Sequence, residues 1–152
     1  RVIATTSSAE KARRLQALGA HEVIDYVANP EWDREVLRLT GGRGADVVME
    51  VGGPGTLARS LQCLGISGYV VLIGGVSGRT QQLDPNLLRG KGVTMKSLSV
   101  GSRQSFDAMN RAIELHGLRP VVDRVFPFAE APAAYAHLQA QRHFGKVVIG
   151  HP

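Results

Sequence analysis

Short apolar runs alternate with helical stretches along the whole of this 152-residue chain. The runs are rich in β-branched residues and predict strands at 1–5, 22–26, 46–51, 69–73, 93–100, 121–126 and 146–149. The intervening stretches predict helices at 8–18, 30–40, 55–64, 84–89, 103–116 and 132–141. This alternation is typical of βαβ units and a mainly parallel sheet in an α/β fold. Because the strands are apolar on both faces, we expect helices on both sides of the sheet.

Polar side chains stand where several of these helices should begin. We expect either Ser7 or Ser8 to cap the first helix, and Asn29, which is followed by a proline, to cap the second. Asp84 and Ser102 should cap the fourth and fifth helices. The second helix should turn an apolar face, made by Trp32, Val36, Leu37 and Leu39, towards the core.

The composition excludes several classes of protein. The single cysteine, Cys63, rules out a disulfide framework and a cysteine-based zinc cluster, and we expect it to be a buried apolar residue in a cytoplasmic protein. No apolar run approaches the roughly 20 residues of a membrane span. The net charge of +5 comes from scattered basic residues, and aromatic residues are only 5%, which argues against a nucleic-acid partner. Neither metal-ligand spacing of histidines nor a serine-nucleophile motif is present, so no metal site or catalytic residue is assigned.

The turn after the first strand favours a particular nucleotide. A domain that binds NAD ends its second strand in Asp or Glu, which holds the 2′-hydroxyl of the ribose. No strand with a glycine-rich turn precedes the first strand of this chain, so we take that strand as the equivalent of the second strand of such a domain. Thr5 then occupies the place of the acidic residue and is followed by Ser7, Ser8 and Lys11. Hydroxyls, a lysine and a helix N-terminus would accept a 2′-phosphate, so the turn favours NADP, with NAD still possible. The alternative is an ordinary serine-capped helix with a solvated lysine.

Two glycine-rich turns follow later strands. In the turn 52–58, Gly53, Gly55 and Ala58 match a relaxed dinucleotide fingerprint, yet no acidic residue ends the next strand. We therefore interpret this turn as lying near the cofactor ribose and not as the pyrophosphate loop. Gly74 and Gly75 begin the second turn, whose bare backbone would let a flat ring approach closely, unless it is simply a flexible turn.

Several segments together resemble the medium-chain dehydrogenase/reductase superfamily, and most closely its alcohol-dehydrogenase-like and quinone-oxidoreductase-like members. They are VIATTSSAEK, LGAHEVIDY, GADVVMEVGGPGTL, GYVVLIGG, AMNRAIELHGLRPVVDRVFPFAEAPAAYAHL and FGKVVI. The resemblance implies a Rossmann-like, doubly wound, mainly parallel sheet that lacks its first βα unit. Residues 1–118 would be a partial NAD(P)-binding domain, and residues 119–152 would belong to the catalytic domain of a longer enzyme.

The resemblance also implies where the cofactor binds. Ser7, Ser8 and Lys11 would hold the 2′-phosphate beside Thr5, and Tyr26 would lie near the adenosine phosphate. Glu50, Val51 and Gly52 would flank the adenosine ribose. The positions implied near the nicotinamide are Gly74, Gly75, Val76, Ser99, Val100 and Gly101. Gly145 and Lys146 would approach the cofactor from the returning segment.

The function implied is hydride transfer between a nicotinamide dinucleotide and a small molecule. We expect an NADP-preferring oxidoreductase that acts on an alcohol or carbonyl, or on an activated double bond or quinone. The 152-residue piece alone is expected to be inactive, and zinc dependence of the longer enzyme is undecidable from these residues. Strand 93–99 resembles the edge strand through which two subunits form a homodimer. The alternative is a non-catalytic Rossmann-like module that binds a nucleotide or a partner protein.

Overall fold

The structure, a computed structural model, describes residues 1–78 and 82–152. It separates into two compact units, Arg1–Val100 and Gly101–Pro152. The boundary predicted after residue 118 lies inside the second unit. Because that boundary concerns how the chain is divided in a longer enzyme, it stays a prediction.

The first unit alternates strands and helices as the sequence predicts. In chain order its elements are β1 (Ile3–Thr6), α1 (Ala9–Ala17), β2 (Glu22–Asp25), α2 (Trp32–Leu39), β3 (Ala45–Glu50), α3 (Leu57–Gln62), β4 (Leu64–Leu72), α4 (Asn86–Arg89) and β5 (Thr94–Ser97). The strands form two parallel sheets, β1-β2 and β3-β4-β5. The α/β, mainly parallel fold class is therefore confirmed.

The second unit is a smaller βαβ arrangement. It contains α5 (Arg103–Leu115), β6 (Val122–Pro127), a 3₁₀ turn at Phe128–Glu130, α6 (Ala131–Gln139) and β7 (Lys146–Gly150). Strands β6 and β7 pair in parallel, and Phe126 and Ala134 are its buried apolar residues. Among the residues described, none of the helices combines the length and the apolar character needed to cross a bilayer.

The two sheets of the first unit share one core. Ile24 of β2, Val36 of α2 and Cys63 form a buried cluster, against which Ile3 of β1 and Val48 of β3 both pack. A second cluster joins α3 to β4 through Leu61, Leu64 and Val70, which are all fully buried. Burying one such leucine is worth about 1.5–3 kcal/mol. Packing against α2 and α3 therefore holds the strands of both sheets in one unit.

The prediction that the strands are buried on both faces was wrong for β3. Val48 packs inward, but Val47 and Met49 are 56% and 60% exposed. Successive strand residues point to opposite faces, and α2 and α3 cover only one of them. The opposite face of β3 is therefore an exposed apolar surface.

Two predicted boundaries were also wrong. Asn29 does not cap α2, because the helix begins after Glu31 and has no side-chain cap. The N–H of Asn29 instead donates to Asp25 O at 2.8 Å in the preceding turn. Strand β4 starts at Leu64 and not at Tyr69, because residues 65–68 bulge from the strand and shift its register against β3. The serine caps were right: Ser8 Oγ accepts from Lys11 N at 3.3 Å.

Of the two caps predicted for later helices, Ser102 is confirmed and Asp84 is not. Ser102 Oγ accepts from Ser105 N at 3.2 Å at the start of α5. The N-cap position of α4 is Pro85, which has no side-chain cap, and Asp84 one residue earlier accepts through Oδ1 from Asn86 N at 2.9 Å. Cys63 is buried as expected, and its Sγ lies 3.3 Å from Ser60 O.

The thiol of Cys63 should be unreactive in the folded protein. Burial, and next the Asp33 carboxylate, raises the pKa of Cys63 from 9.0 to about 11. At pH 8 this shift alone lowers the thiolate fraction about 100-fold, so labelling by an aromatic disulfide reagent should slow at least that much relative to the urea-unfolded chain. Labelling at the unfolded rate would contradict the packing described here.

The same pKa shift determines how the stability of the fold changes at alkaline pH. The folded state favours the protonated thiol, so its contribution to stability is fully present below pH 9. That contribution is lost as the pH rises through about 11. The Cys63→Ala variant should lack this part of the alkaline loss when unfolding is followed across that range.

Candidate functional site

The predicted phosphate-binding residues lie where β1 ends and α1 begins. Thr5 and Ser7 are exposed, while the intervening Thr6 is buried. Ser8 and Lys11 are half-buried, and the Ser8 side chain caps the helix. Hydroxyls, a lysine and the first N–H groups of a helix are therefore gathered in one turn, a set that suits an anion.

Tyr26 lies beside this turn. Its N–H donates to Thr6 O at 2.9 Å, which continues the pairing of β1 with β2 by one residue. Its side chain is 44% exposed. The nearest carboxylate in sequence, Asp25, is used locally: its Oδ1 accepts from Val27 N at 3.0 Å and Ala28 N at 3.3 Å. The structure thus brings Tyr26 to the same edge as the Thr5–Lys11 turn.

At the end of β3, Glu50 is turned inward. It is 3% exposed, and its carboxylate accepts hydrogen bonds from Gly53 N at 2.8 Å and Thr56 Oγ1 at 2.6 Å. Its other oxygen accepts from Ser60 Oγ. Glu50 therefore fixes the turn that carries Gly52, and a role beside the ribose stays a prediction for this residue.

The turns after β3 and β4 meet backbone to backbone. Gly53 has φ +83°, and a Cβ added to it would lie 2.7 Å from Gly75 Cα. A Cβ on Gly74 would lie 2.8 Å from Val51 O. No side chain larger than hydrogen fits between these turns, so Gly52, Gly53, Gly74 and Gly75 share one edge of the β3-β4-β5 sheet. The glycines were predicted to admit a ring, and the structure adds their close mutual approach.

One residue at this edge escaped the sequence analysis. The hydroxyl of Ser77 accepts from Gly55 N at 2.8 Å and donates to Gly52 O at 2.7 Å, which joins the two turns. A serine after two glycines carries no signal of such a contact, because its partners lie 22 and 25 residues away in sequence.

The remaining predicted residues lie elsewhere. Ser99 and Val100 follow β5 with exposed side chains at the end of the first unit, and Gly101 begins the second. Gly145 and Lys146 belong to the second unit. The Lys146 N–H donates to Val121 O at 2.8 Å, and Gly145 has φ +98°.

Asp123 organises the turn before Lys146. Its Oδ1 accepts from Phe144 N at 2.9 Å, and its Oδ2 lies 2.8 Å from His137 Nε2. This carboxylate therefore ties β6, α6 and the approach to β7 together, and sequence reasoning gave it no role.

Residues 18–149 match the family model of zinc-binding dehydrogenases. The chain belongs to this family. The resemblance to medium-chain dehydrogenases/reductases is thereby confirmed.

Two curated relatives of this dehydrogenase chain illustrate the range of the family. The zinc-type alcohol dehydrogenase-like protein of Schizosaccharomyces pombe is 37% identical, over 97% of this chain and 44% of that protein. The quinone oxidoreductase of Pseudomonas aeruginosa is 34% identical, over 97% of this chain and 48% of that protein. The chain thus spans less than half the length of these relatives.

Two solved structures share this fold, one of an NAD-dependent enzyme and one of a complex with NADPH. An NAD-dependent alcohol dehydrogenase superposes with a TM-score of 0.90 at 34% identity, covering 100% of this chain and 44% of its own. A mycobacterial protein in complex with NADPH superposes with a TM-score of 0.82 at 32% identity, covering 98% of this chain and 49% of its own. A nicotinamide dinucleotide site is therefore a property of this group of structures.

The family name does not bring a zinc site to these residues. Within 1–78 and 82–152, no three His, Cys, Asp or Glu side chains are grouped so that they could hold a metal ion. Cys63 is buried in an apolar cluster, which does not suit a ligand. No step involving zinc is derived for this chain.

The close approach of the two turns predicts a large penalty for Gly53→Ala. Gly41 also has a positive φ, +63°, but a Cβ there would meet nothing within 4 Å. Gly41→Ala should therefore cost only the backbone strain, about 1 kcal/mol, whereas Gly53→Ala adds a clash with Gly75 and should cost at least about 2 kcal/mol more. Urea unfolding of both variants measures the difference. Equal losses would mean that the turns are not in contact.

Proposed function

We propose that this chain is part of an NADP-preferring oxidoreductase. It would transfer hydride between the nicotinamide and an alcohol or carbonyl, or an activated double bond or quinone. The observation that carries the cofactor preference is the turn after β1, where hydroxyls and Lys11 stand in place of the carboxylate that suits NAD. Membership of the dehydrogenase family supports the wider class of reaction.

The turn after β1 can hold a 2′-phosphate by several complementary contacts. The exposed hydroxyl of Ser7 and the side chains of Ser8 and Lys11 surround the first turn of α1. Helix N–H groups attract an anion, and an ammonium group adds a point charge. Glu10 also lies in that first turn, so the lysine has to offset a nearby carboxylate. Lys11 should therefore dominate the choice between the two coenzymes.

The other sheet would receive the reacting half of the cofactor. When bound, the nicotinamide supplies the hydride chemistry. The residues that would orient it are Gly74, Gly75 and Val76 after β4, while Glu50, Val51 and Gly52 at the end of β3 would flank the adenosine ribose. Ser99, Val100 and Gly101 would also lie near the nicotinamide, and Gly145 and Lys146 remain proposed cofactor-binding residues. These residues supply position and exclude side-chain bulk, and none is given a proton-transfer role.

The longer enzyme would complete both the sheet and the active site. Val47 and Met49 leave one face of β3 apolar and exposed, as expected if further chain covers it. On this proposal the 152-residue chain alone does not catalyse hydride transfer. Turnover by the isolated chain with either coenzyme would contradict that part of the proposal.

Charge reversal at Lys11 tests the cofactor preference in the full-length protein. Lys11→Glu should weaken NADPH binding about tenfold to a hundredfold, the value of a charge-assisted contact, and leave NADH within about twofold. Arg13→Glu, which makes the same charge change two residues further along α1 at an exposed position, is the matched control. Fluorescence titration with each coenzyme measures the effect.

The result also separates this proposal from the alternative. If Lys11→Glu leaves the discrimination between NADPH and NADH unchanged, the phosphate assignment is wrong. If the unmodified protein binds neither coenzyme, a non-catalytic module that binds a partner protein becomes the better explanation.

We also propose that two copies of the protein pair through β5. This strand ends the order β3-β4-β5, and all four of its residues are exposed. The Leu98 N–H donates to Leu72 O at 2.9 Å, and donors alternate along a strand. The N–H groups of Met95 and Ser97 therefore point away from β4, where a second copy can accept them.

Replacing Met95 by proline should abolish the pairing of two copies through β5. Met95→Pro removes an outward N–H, whereas Met95→Ala changes the same side chain and keeps it. Light scattering of the full-length protein should show a dimer for the alanine variant and a monomer for the proline variant. A proline variant that remains dimeric would place the interface elsewhere.

A further inference from the structure

Ser77 joins two turns that are distant in sequence. Its Oγ donates to Gly52 O at 2.7 Å, and its own N–H donates to the same carbonyl at 2.8 Å. The same Oγ accepts from Gly55 N at 2.8 Å. Ser77, in the turn after β4, thus satisfies two backbone groups of the turn after β3.

The turn after β3 is held from its inner side as well. The buried carboxylate of Glu50 accepts from Gly53 N and Thr56 Oγ1, while Gly53 touches Gly75 across the gap. Glu50 fixes the turn to the start of α3, and Ser77 fixes it to the turn after β4. The inner contact is buried and the outer one is exposed, so only the outer one can be removed without leaving a buried polar group unpaired.

We propose that Ser77 is a positioning residue that sets the spacing of the two glycine turns for the nicotinamide half of the cofactor. The inference rests on the proposed function, because it takes the turn after β4 as the wall against which that half binds. Without the hydroxyl, Gly55 N loses its partner and the 74–78 turn keeps only backbone contacts. The turns must then be ordered by the cofactor itself, which lowers affinity and disturbs the approach of the ring.

The effect should be confined to one half of the cofactor. The 2′-phosphate would bind at the end of β1, where Ser77 makes no hydrogen bond in the part of the chain that is described, and the turn that would flank the adenosine ribose keeps its buried contacts with Glu50. A variant at Ser77 should therefore distinguish ligands that carry a nicotinamide from ligands that do not. A general loss of folding would weaken both kinds alike.

The experiment compares NADPH with 2′,5′-ADP in the full-length protein. Ser77→Ala should raise the Kd for NADPH about threefold to thirtyfold and lower kcat, and leave the Kd for 2′,5′-ADP within twofold. Ser77→Thr keeps the hydroxyl and should restore NADPH binding. Ser67→Ala, at an exposed serine in the bulge of β4, is the matched control and should behave as the unmodified protein.

Each outcome bears on a different statement. If the unmodified protein binds neither ligand, the proposed function fails. If it binds both and Ser77→Ala binds NADPH as tightly as before, the proposed function stands and the positioning role is overturned. Equal weakening of both ligands by Ser77→Ala, or no rescue by Ser77→Thr, would also overturn it.

Discussion

A buried carboxylate determines the geometry at the end of β3. Removing Glu50 from water is costly, and in the described part of the chain no cation forms a salt bridge with it. Three donors from its own turn and from α3 replace the water instead. Because those donors include a backbone N–H, satisfying the carboxylate also fixes the path of the glycine turn. The contact of that turn with Gly75, and the reach of Ser77, both follow from it.

The packing of the first unit explains why two separate sheets hold together. Neither β1-β2 nor β3-β4-β5 hydrogen-bonds to the other, yet Ile3 and Val48 pack against one cluster around Val36. The hydrophobic effect is non-directional, so a shared cluster can hold strands that have no ladder between them. The same strands leave Val47 and Met49 exposed, which is unusual for parallel strands. Packing against helices, and not a continuous ladder of strands, therefore holds this unit together.

Local signals in the sequence were sufficient wherever the structure is decided locally. Ser8 and Ser102 cap helices because a hydroxyl reaches the N–H three residues on, whatever the rest of the fold does. The prediction that Asn29 caps a helix was wrong because its N–H is hydrogen-bonded within the preceding turn, which is built around Asp25 and ends before the helix starts. Ser77 could not be found from sequence, since its role depends on two turns meeting across the sheet. Glu50 was predicted as a site residue, but the direction in which its side chain points depends on where α3 places Thr56 and Ser60.

On the proposed function, cofactor choice and the positioning of the nicotinamide depend on different turns. Structures of the same fold include both an NAD-dependent enzyme and an NADPH complex, so the fold alone does not select the coenzyme. Selection has to come from a short local segment, and the Thr5–Lys11 turn is one that can change charge without disturbing the buried clusters. The turns around Gly53 and Gly75 have no such freedom, because their backbones touch. Substitutions at the two places should therefore act nearly additively on binding, since they share no partner residue. On the proposed function, a change of coenzyme at the first turn would leave the geometry of the glycine turns unchanged.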